Sequence, residues 1–225
     1  MRSNLVGRFL ARSRCAGMLA LVMALGAPLG ARADVIVIQS NTAASTSGLG
    51  MFTGTLNYFF SLVLNSWALK VTLNNTSPAA NGGYITAFIF NIGSSDPNAS
   101  ATLNSTTSAN FTNLPNANGQ PYGNPFRAGA GVDGNFEGGG GSPSQGIPTG
   151  GSEMFTFTVS ASDAPTLHAS SFLEGPYQYN FLVRFRGFEH HGSDKVPAQI
   201  VPGPAVLTVM AFGLAFIGGR RRRIR

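Results

Sequence analysis

WALKVTL, residues 67–73, is the stretch whose reading decides the fold. Trp67, Leu69, Val71 and Leu73 share one face, with Ala68, Lys70 and Thr72 on the other. A side-chain period of two belongs to a half-buried strand; a helix would scatter these four apolar residues around its circumference. Tyr58–Leu64, just upstream, is a second apolar segment that pairs with it. The pattern repeats outward. Val35–Ile38 is a compact strand candidate, and Tyr84–Ile92 follows a turn-rich break at 74–83. Phe155, Phe157 and Val159 alternate with Thr156 and Thr158, and Phe181, Val183 and Phe185 alternate with Leu182, Arg184 and Arg186. About six such strands between Gly, Asn, Ser and Pro breaks, with no convincing helix, predict one antiparallel β-sandwich, jelly-roll-like or immunoglobulin-like. Residues 102–151 are broken by five prolines and many glycines and read as a long loop inside that single domain.

The charge is unevenly placed. The 225-residue chain has fifteen basic and nine acidic residues, a formal +6. Five basic residues lie at or before Arg32, five lie at or after Arg220, and all nine acids lie between Asp34 and Asp194. The middle keeps five basic residues against nine acids, a net −4. Nucleic acid requires a basic face on the folded domain, and a body of this charge lacks one. Cys15 is the only cysteine, so the body has neither a disulfide scaffold nor a cysteine nucleophile.

Both ends read as addresses. Residues 1–33 have the form of a signal peptide: a basic start, an apolar run over 16–29 and an Ala31-Arg32-Ala33 cleavage site. The mature chain then starts at Asp34 and is exported by the Sec machinery. At the other end, Val201-Pro202-Gly203-Pro204 leads into an apolar stretch, 204–219, followed by Arg220, Arg221, Arg222, Arg223 and Arg225. As a helix that stretch is about 24 Å long, slightly short of a bilayer core of about 30 Å. The arginine block stays on the cytoplasmic side, which leaves residues 34–200 outside as the extracytoplasmic domain. Pro202 and Pro204 resist helix and hold the approach extended, the form in which an enzyme reaches a peptide bond.

This three-part end, residues 201–225, resembles the PEP-CTERM sorting signal of Gram-negative bacteria. The resemblance covers about 25 residues, from the motif to the basic tail. It implies that a membrane-embedded exosortase recognises Pro202 and Pro204, removes the tail and passes the protein to the cell surface or extracellular matrix, after transient inner-membrane anchoring. Gly203 stands where the family usually carries Glu, which removes a charge a processing enzyme reads. Two outcomes stay open, processing by a variant exosortase and retention by a plain C-terminal anchor.

The body offers weaker chemistry. Asp133, Asn135 and Glu137, followed by Gly138, resemble the opening of a calcium loop. Ser144 stands where an EF-hand needs its closing Glu and Gly140 where it needs an apolar residue, so an EF-hand is excluded. A looser calcium site closed by carbonyls or by Glu153 and a plain polar loop both remain. The expectation is no cofactor, with calcium at these residues as the alternative. His190 and His191, beside Glu189 and Asp194 and with His168 elsewhere, suggest zinc ligands or a solvated loop; neighbouring histidines on a strand end point apart. No nucleophile elbow, zinc-protease motif or phosphate loop occurs. Asn-x-Ser/Thr occurs at Asn74, Asn75, Asn98, Asn104 and Asn110. Trp67, Tyr122, Tyr177 and Tyr179 are candidates for stacking on sugar, with core packing favoured for Trp67. The expectation is a non-enzymatic structural or adhesive protein. The alternatives are an exopolysaccharide-binding module, with or without calcium, and a secreted glycosidase-like enzyme with two facing acids.

Overall fold

A computed structural model describes residues 33–138, 141–189 and 192–202. The described chain is all-β and antiparallel. Its strands are β1 (Asp34–Ser40), β2 (Phe52–Ser61), β3 (Ser66–Asn75), β4 (Gly82–Phe90), β5 (Ser100–Thr106), β6 (Thr112–Asn113), β7 (Ala128–Gly131), β8 (Ile147–Pro148), β9 (Ser152–Ser160), β10 (Phe181–Phe188) and β11 (Ser193–Ile200). They form one hydrogen-bonded sheet in the order β5-β9-β3-β2-β1-β11-β10-β4-β7-β6, with β8 also on β4. The sheet rolls up so that its ends approach, making it nearly a barrel.

The 67–73 alternation does what its period requires. β2 and β3 pair over ten rungs, from Phe52 opposite Asn75 to Ser61 opposite Ser66. Leu56, Tyr58, Leu69, Val71 and Leu73 all point into the core. The expected partner strand ends at Ser61 rather than Leu64. Residues 62–65 form the turn, closed by Asn65 at φ +47°, a left-handed conformation that Asn tolerates. β9 adds to β3, placing Phe155 and Phe157 on the same inner layer. Opposite them stand Phe88 and Phe90 of β4 and Phe181 of β10. Phe88 meets Phe155 edge-on at 4.8 Å, and Phe90 meets Phe157 at 5.1 Å. Edge-to-face aromatic pairs contribute about 1 kcal/mol beyond their buried area.

Two elements depart from expectation. The 102–151 stretch is not simply a loop: it contains most of β5 and all of β6, β7 and β8. Residues 114–136 fold over the outer side of β4 and β10 and build a second core from Leu114, Ala117, Phe126 and Phe136 with Ala87, Ile89 and Leu182. β4 is therefore buried on both faces, which is why Ile85–Phe90 shows an apolar run instead of alternation. The second departure is β11, which begins inside the Glu189–Asp194 stretch that reads as zinc ligands or a solvated loop and continues to Ile200. It pairs with β10 from Ser193 to Pro197 and then with β1 from Ala198 to Ile200. Pro197 stands at this handover, where a strand tolerates the missing N–H. The handover joins what would be two sandwich layers into one sheet.

Candidate functional site

The two ends of the domain emerge side by side. Asp34 opens β1 opposite Tyr58. Beyond Ile200 the ladder continues one residue, with the Val201 N–H donating to the Val37 carbonyl at 2.9 Å. Pro202 and Pro204 have no N–H with which to extend it. Ala33 and Asp34 lie within the described residues and line a shallow surface depression with Val35 and His168. The Asp34 carboxylate accepts the Ala169 N–H at 2.9 Å, and His168 Nδ1 lies 3.3 Å from it. Of the sorting motif, Val201 and Pro202 are described. Ala31, Gly203, Pro204 and Arg220–Arg225 lie outside the described residues, as does the expected helix at 204–219.

The candidate calcium residues hold protein cations. Asp133 pairs with Arg186, and Glu137 pairs with Lys195 at 2.5 Å. The Asn135 side-chain oxygen accepts the Glu137 N–H, and buried Arg184 donates to the Phe136 carbonyl at 2.5 Å. Burial and then the neighbouring Arg186 charge pull the Arg184 guanidinium below its ordinary value. Among the described residues, no group of three His, Cys, Asp or Glu side chains converges as metal ligands, and Glu153 engages Thr107 instead. His190 and His191 lie outside the described residues, while His168 is beside Asp34.

Asp194 takes neither role that its place beside His190 and His191 suggests, zinc ligand or residue of a solvated loop. It is buried and gathers the 45–50 loop instead. Oδ1 accepts from the Ser45 and Thr46 hydroxyls and the Ser47 N–H; Oδ2 accepts from the Leu49 and Gly50 N–H groups at 2.8 and 2.9 Å. Burial alone would raise its pKa, but the Gly50 N–H, the Ser45 hydroxyl and the other donors outweigh it and hold the carboxyl below the usual range. Asp163 is likewise lowered, chiefly by the Ser94 hydroxyl and then by Ser95. Asp96 is lowered chiefly by the Ser162 N–H. Together these two carboxylates latch the 94–98 turn to residues 161–163.

The four aromatic candidates separate. Tyr122, Tyr177 and Tyr179 pack half-buried on the second core, with Tyr122 edge-on to Tyr179 at 5.7 Å and its hydroxyl on the Ala44 carbonyl. Trp67 lies near the β2–β3 turn, stacked on Tyr58 at 5.1 Å and edge-on to Phe60 at 5.7 Å. Asn75 is not a sugar acceptor: it is buried, its amide donating to the Gly83 and Ile147 carbonyls. Asn98, Asn104 and Asn110 are exposed.

Sequence reading missed the end of the β2–β3 hairpin. Leu62 and Val63 are 87% and 95% exposed there. The signal was legible: Ser-Leu-Val-Leu-Asn-Ser is apolar where hairpin turns carry Gly, Asn or Asp. Comparison of the chain with protein-family models, with curated proteins and with solved structures returns no match.

Proposed function

We propose that the protein is an exported, non-enzymatic surface or matrix protein, made as a precursor with a cleaved N-terminal signal and a C-terminal sorting signal processed by an exosortase-type enzyme. In this reading the nearly closed barrel is a jelly-roll-like display unit, a flattened sandwich whose layers are joined through β11. One observation carries the reading. Both hydrophobic clusters of the described residues are filled from within residues 36–198, and both junctions, Ala33–Asp34 and Val201–Pro202, lie at the surface of that unit. Cuts at these junctions then fall outside both described clusters. A structural rather than catalytic role is supported by the carboxylates. Asp133 and Glu137 neutralise cations, while Asp96, Asp163 and Asp194 hold loops.

Mass spectrometry of the protein from its host tests the reading. It should find one terminus at Asp34 and the other within Pro202–Pro204. Replacing Arg220–Arg223 with Ser removes the cytoplasmic stop and should lower C-terminal processing severalfold. An intact arginine tail on the wild-type chain in purified inner membrane would instead identify a plain anchor. A second reading, binding of exopolysaccharide, is favoured by the grouping of Tyr122, Tyr177 and Tyr179 on one surface beside exposed Gln120 and Gln178.

A further inference from the structure

The end of the barrel at which both junctions emerge also carries its most exposed apolar residues. β1 runs antiparallel to β2 and begins opposite Tyr58, so Phe59, Phe60 and Ser61 continue past Asp34 before the chain turns. That is three rungs, about 10 Å at 3.3 Å per residue. Leu62 and Val63 cap this projection at 87% and 95% exposure. β11 runs in the same direction as β2, so Val201 leaves the ladder at Val37 heading toward the same end. Val35 and Val37, 52% and 47% exposed, and Ile200, 47% exposed, stand beside that exit. The apolar runs 16–29 and 204–219 of the sequence therefore attach, each within about five residues, to the end from which the apolar hairpin projects.

The geometry points to the β2–β3 turn as a membrane-contacting finger. In the precursor, Leu62 and Val63 enter the interfacial layer of the bilayer in which the terminal apolar segments are anchored. The proposal rests on the anchoring reading above, and its occupant is a lipid surface. Among the described residues none covers Leu62 and Val63, whereas a bilayer does. Interfacial elements sink about 5–10 Å into the headgroup and acyl boundary, which the roughly 10 Å projection past Asp34 allows. Behind the tip, Trp67 faces Tyr58 and Phe60, and amphipathic aromatic rings favour that layer. Asp96 and Asp163 lie near this end, beyond Val159 and its partner Trp67, and are held ionised. The contact is therefore driven by apolar burial rather than by attraction to anionic lipid. Its consequence is to hold the domain upright on the membrane, with Val201–Pro202 at the height where a membrane-embedded enzyme works.

Trp67 is the only tryptophan of the chain and lies two rungs from the turn, so it reports on the tip without labelling. The full-length chain, carrying both apolar segments, is reconstituted into phosphatidylcholine vesicles and floated. The same vesicles made with lipids brominated near the headgroup end of the acyl chains then quench Trp67. Wild type should float and lose roughly half of its Trp67 emission, while the double variant Leu62→Ser/Val63→Ser floats equally but loses at least about twofold less. These are surface positions, so the variant keeps the fold, checked by an unchanged far-ultraviolet spectrum. A chain that floats with Trp67 unquenched overturns the finger and leaves the anchoring reading standing. A chain that does not float overturns both. Equal quenching in the variant shows that Trp67 reaches lipid without the tip and overturns the role of Leu62 and Val63, as does a shift to dimers that depends on them in place of quenching.

Discussion

Asp194 shows how one carboxylate organises a loop. Five donors converge on it, and among the described residues the Leu49 and Gly50 N–H groups bond to it alone. Replacing it by Asn turns one acceptor oxygen into a donor facing donors. Breaking a buried, multiply bonded carboxylate costs about 3 kcal/mol. For a domain of this size that is a fall in melting temperature of about 6–12 °C at neutral pH. The sign with pH follows from the lowered pKa: the stabilisation is complete above the unfolded value of about 3.9 and is lost as pH falls through the lower folded value. Wild type and Asp194→Asn should therefore melt well apart at pH 6 and converge in calorimetry as pH falls through that lower folded value. A gap that persists at low pH would assign the effect to packing rather than to the charge. None of this was legible in Glu-His-His-Gly-Ser-Asp, because the donors come from residues 45–50, at the other end of the chain. The same distance hid the partners of Asp133 and Glu137. Their spacing suggested a metal, while Arg186 and Lys195 arrive from β10 and β11.

At the scale of elements, strands were legible in proportion to how unequal their two faces are. β2, β3 and β9 have a core face and a solvent face, so alternation exposed them. β7 has neither signal. Ala128-Gly129-Ala130-Gly131 is buried throughout, with its alanines in the main core and its glycines toward the second. It must be small because backbone and side chains approach it closely from both sides. A Cβ at Gly129 would lie 2.2 Å from the Phe88 carbonyl oxygen and 2.8 Å from Ile89. The first neighbour is backbone of the paired strand and cannot rotate away. Gly129→Ala should therefore cost about 2 kcal/mol or more by overpacking, read as a lowered denaturant midpoint. Amide protection should fall first at residues 128–131 and in the facing part of β4. An unchanged midpoint would mean that β7 packs more loosely than the structure has it. β11 was hidden for a different reason. A buried Asp and a Pro argue against a strand in any window, and both are explained by tertiary partners that no local pattern records.

For the whole molecule the deciding feature is how the rolled sheet closes. Ten strands follow one another by hydrogen-bonded ladders, with register shifts in β5–β9 and β4–β10, but the ends, β5 and β6, meet without one. β5 cannot ladder evenly: its register with β9 shifts between Leu103 and Ser105. The gap is bridged by side chains instead. The Asn113 oxygen accepts the Leu103 N–H at 2.8 Å, and Arg127 donates to the Pro97 and Ala99 carbonyls at 2.8 Å each. An alternation pattern identifies a strand but not which strand lies at an edge or how an edge is sealed, so the sequence supported an all-β unit and not its near-closure. The seam is then the weak line of the molecule. Asn113→Ala leaves the Leu103 N–H without its acceptor at a cost of about 1 kcal/mol, too little to unfold a domain with two cores. The loss should be local. Hydrogen exchange at the Leu103 amide should accelerate about tenfold or more, while amides in the β2–β3 ladder, away from the seam, keep their wild-type rates. If Leu103 stayed as protected as before, β5 would be held by β9 alone, and the closure would contribute nothing to holding the ends of the sheet together.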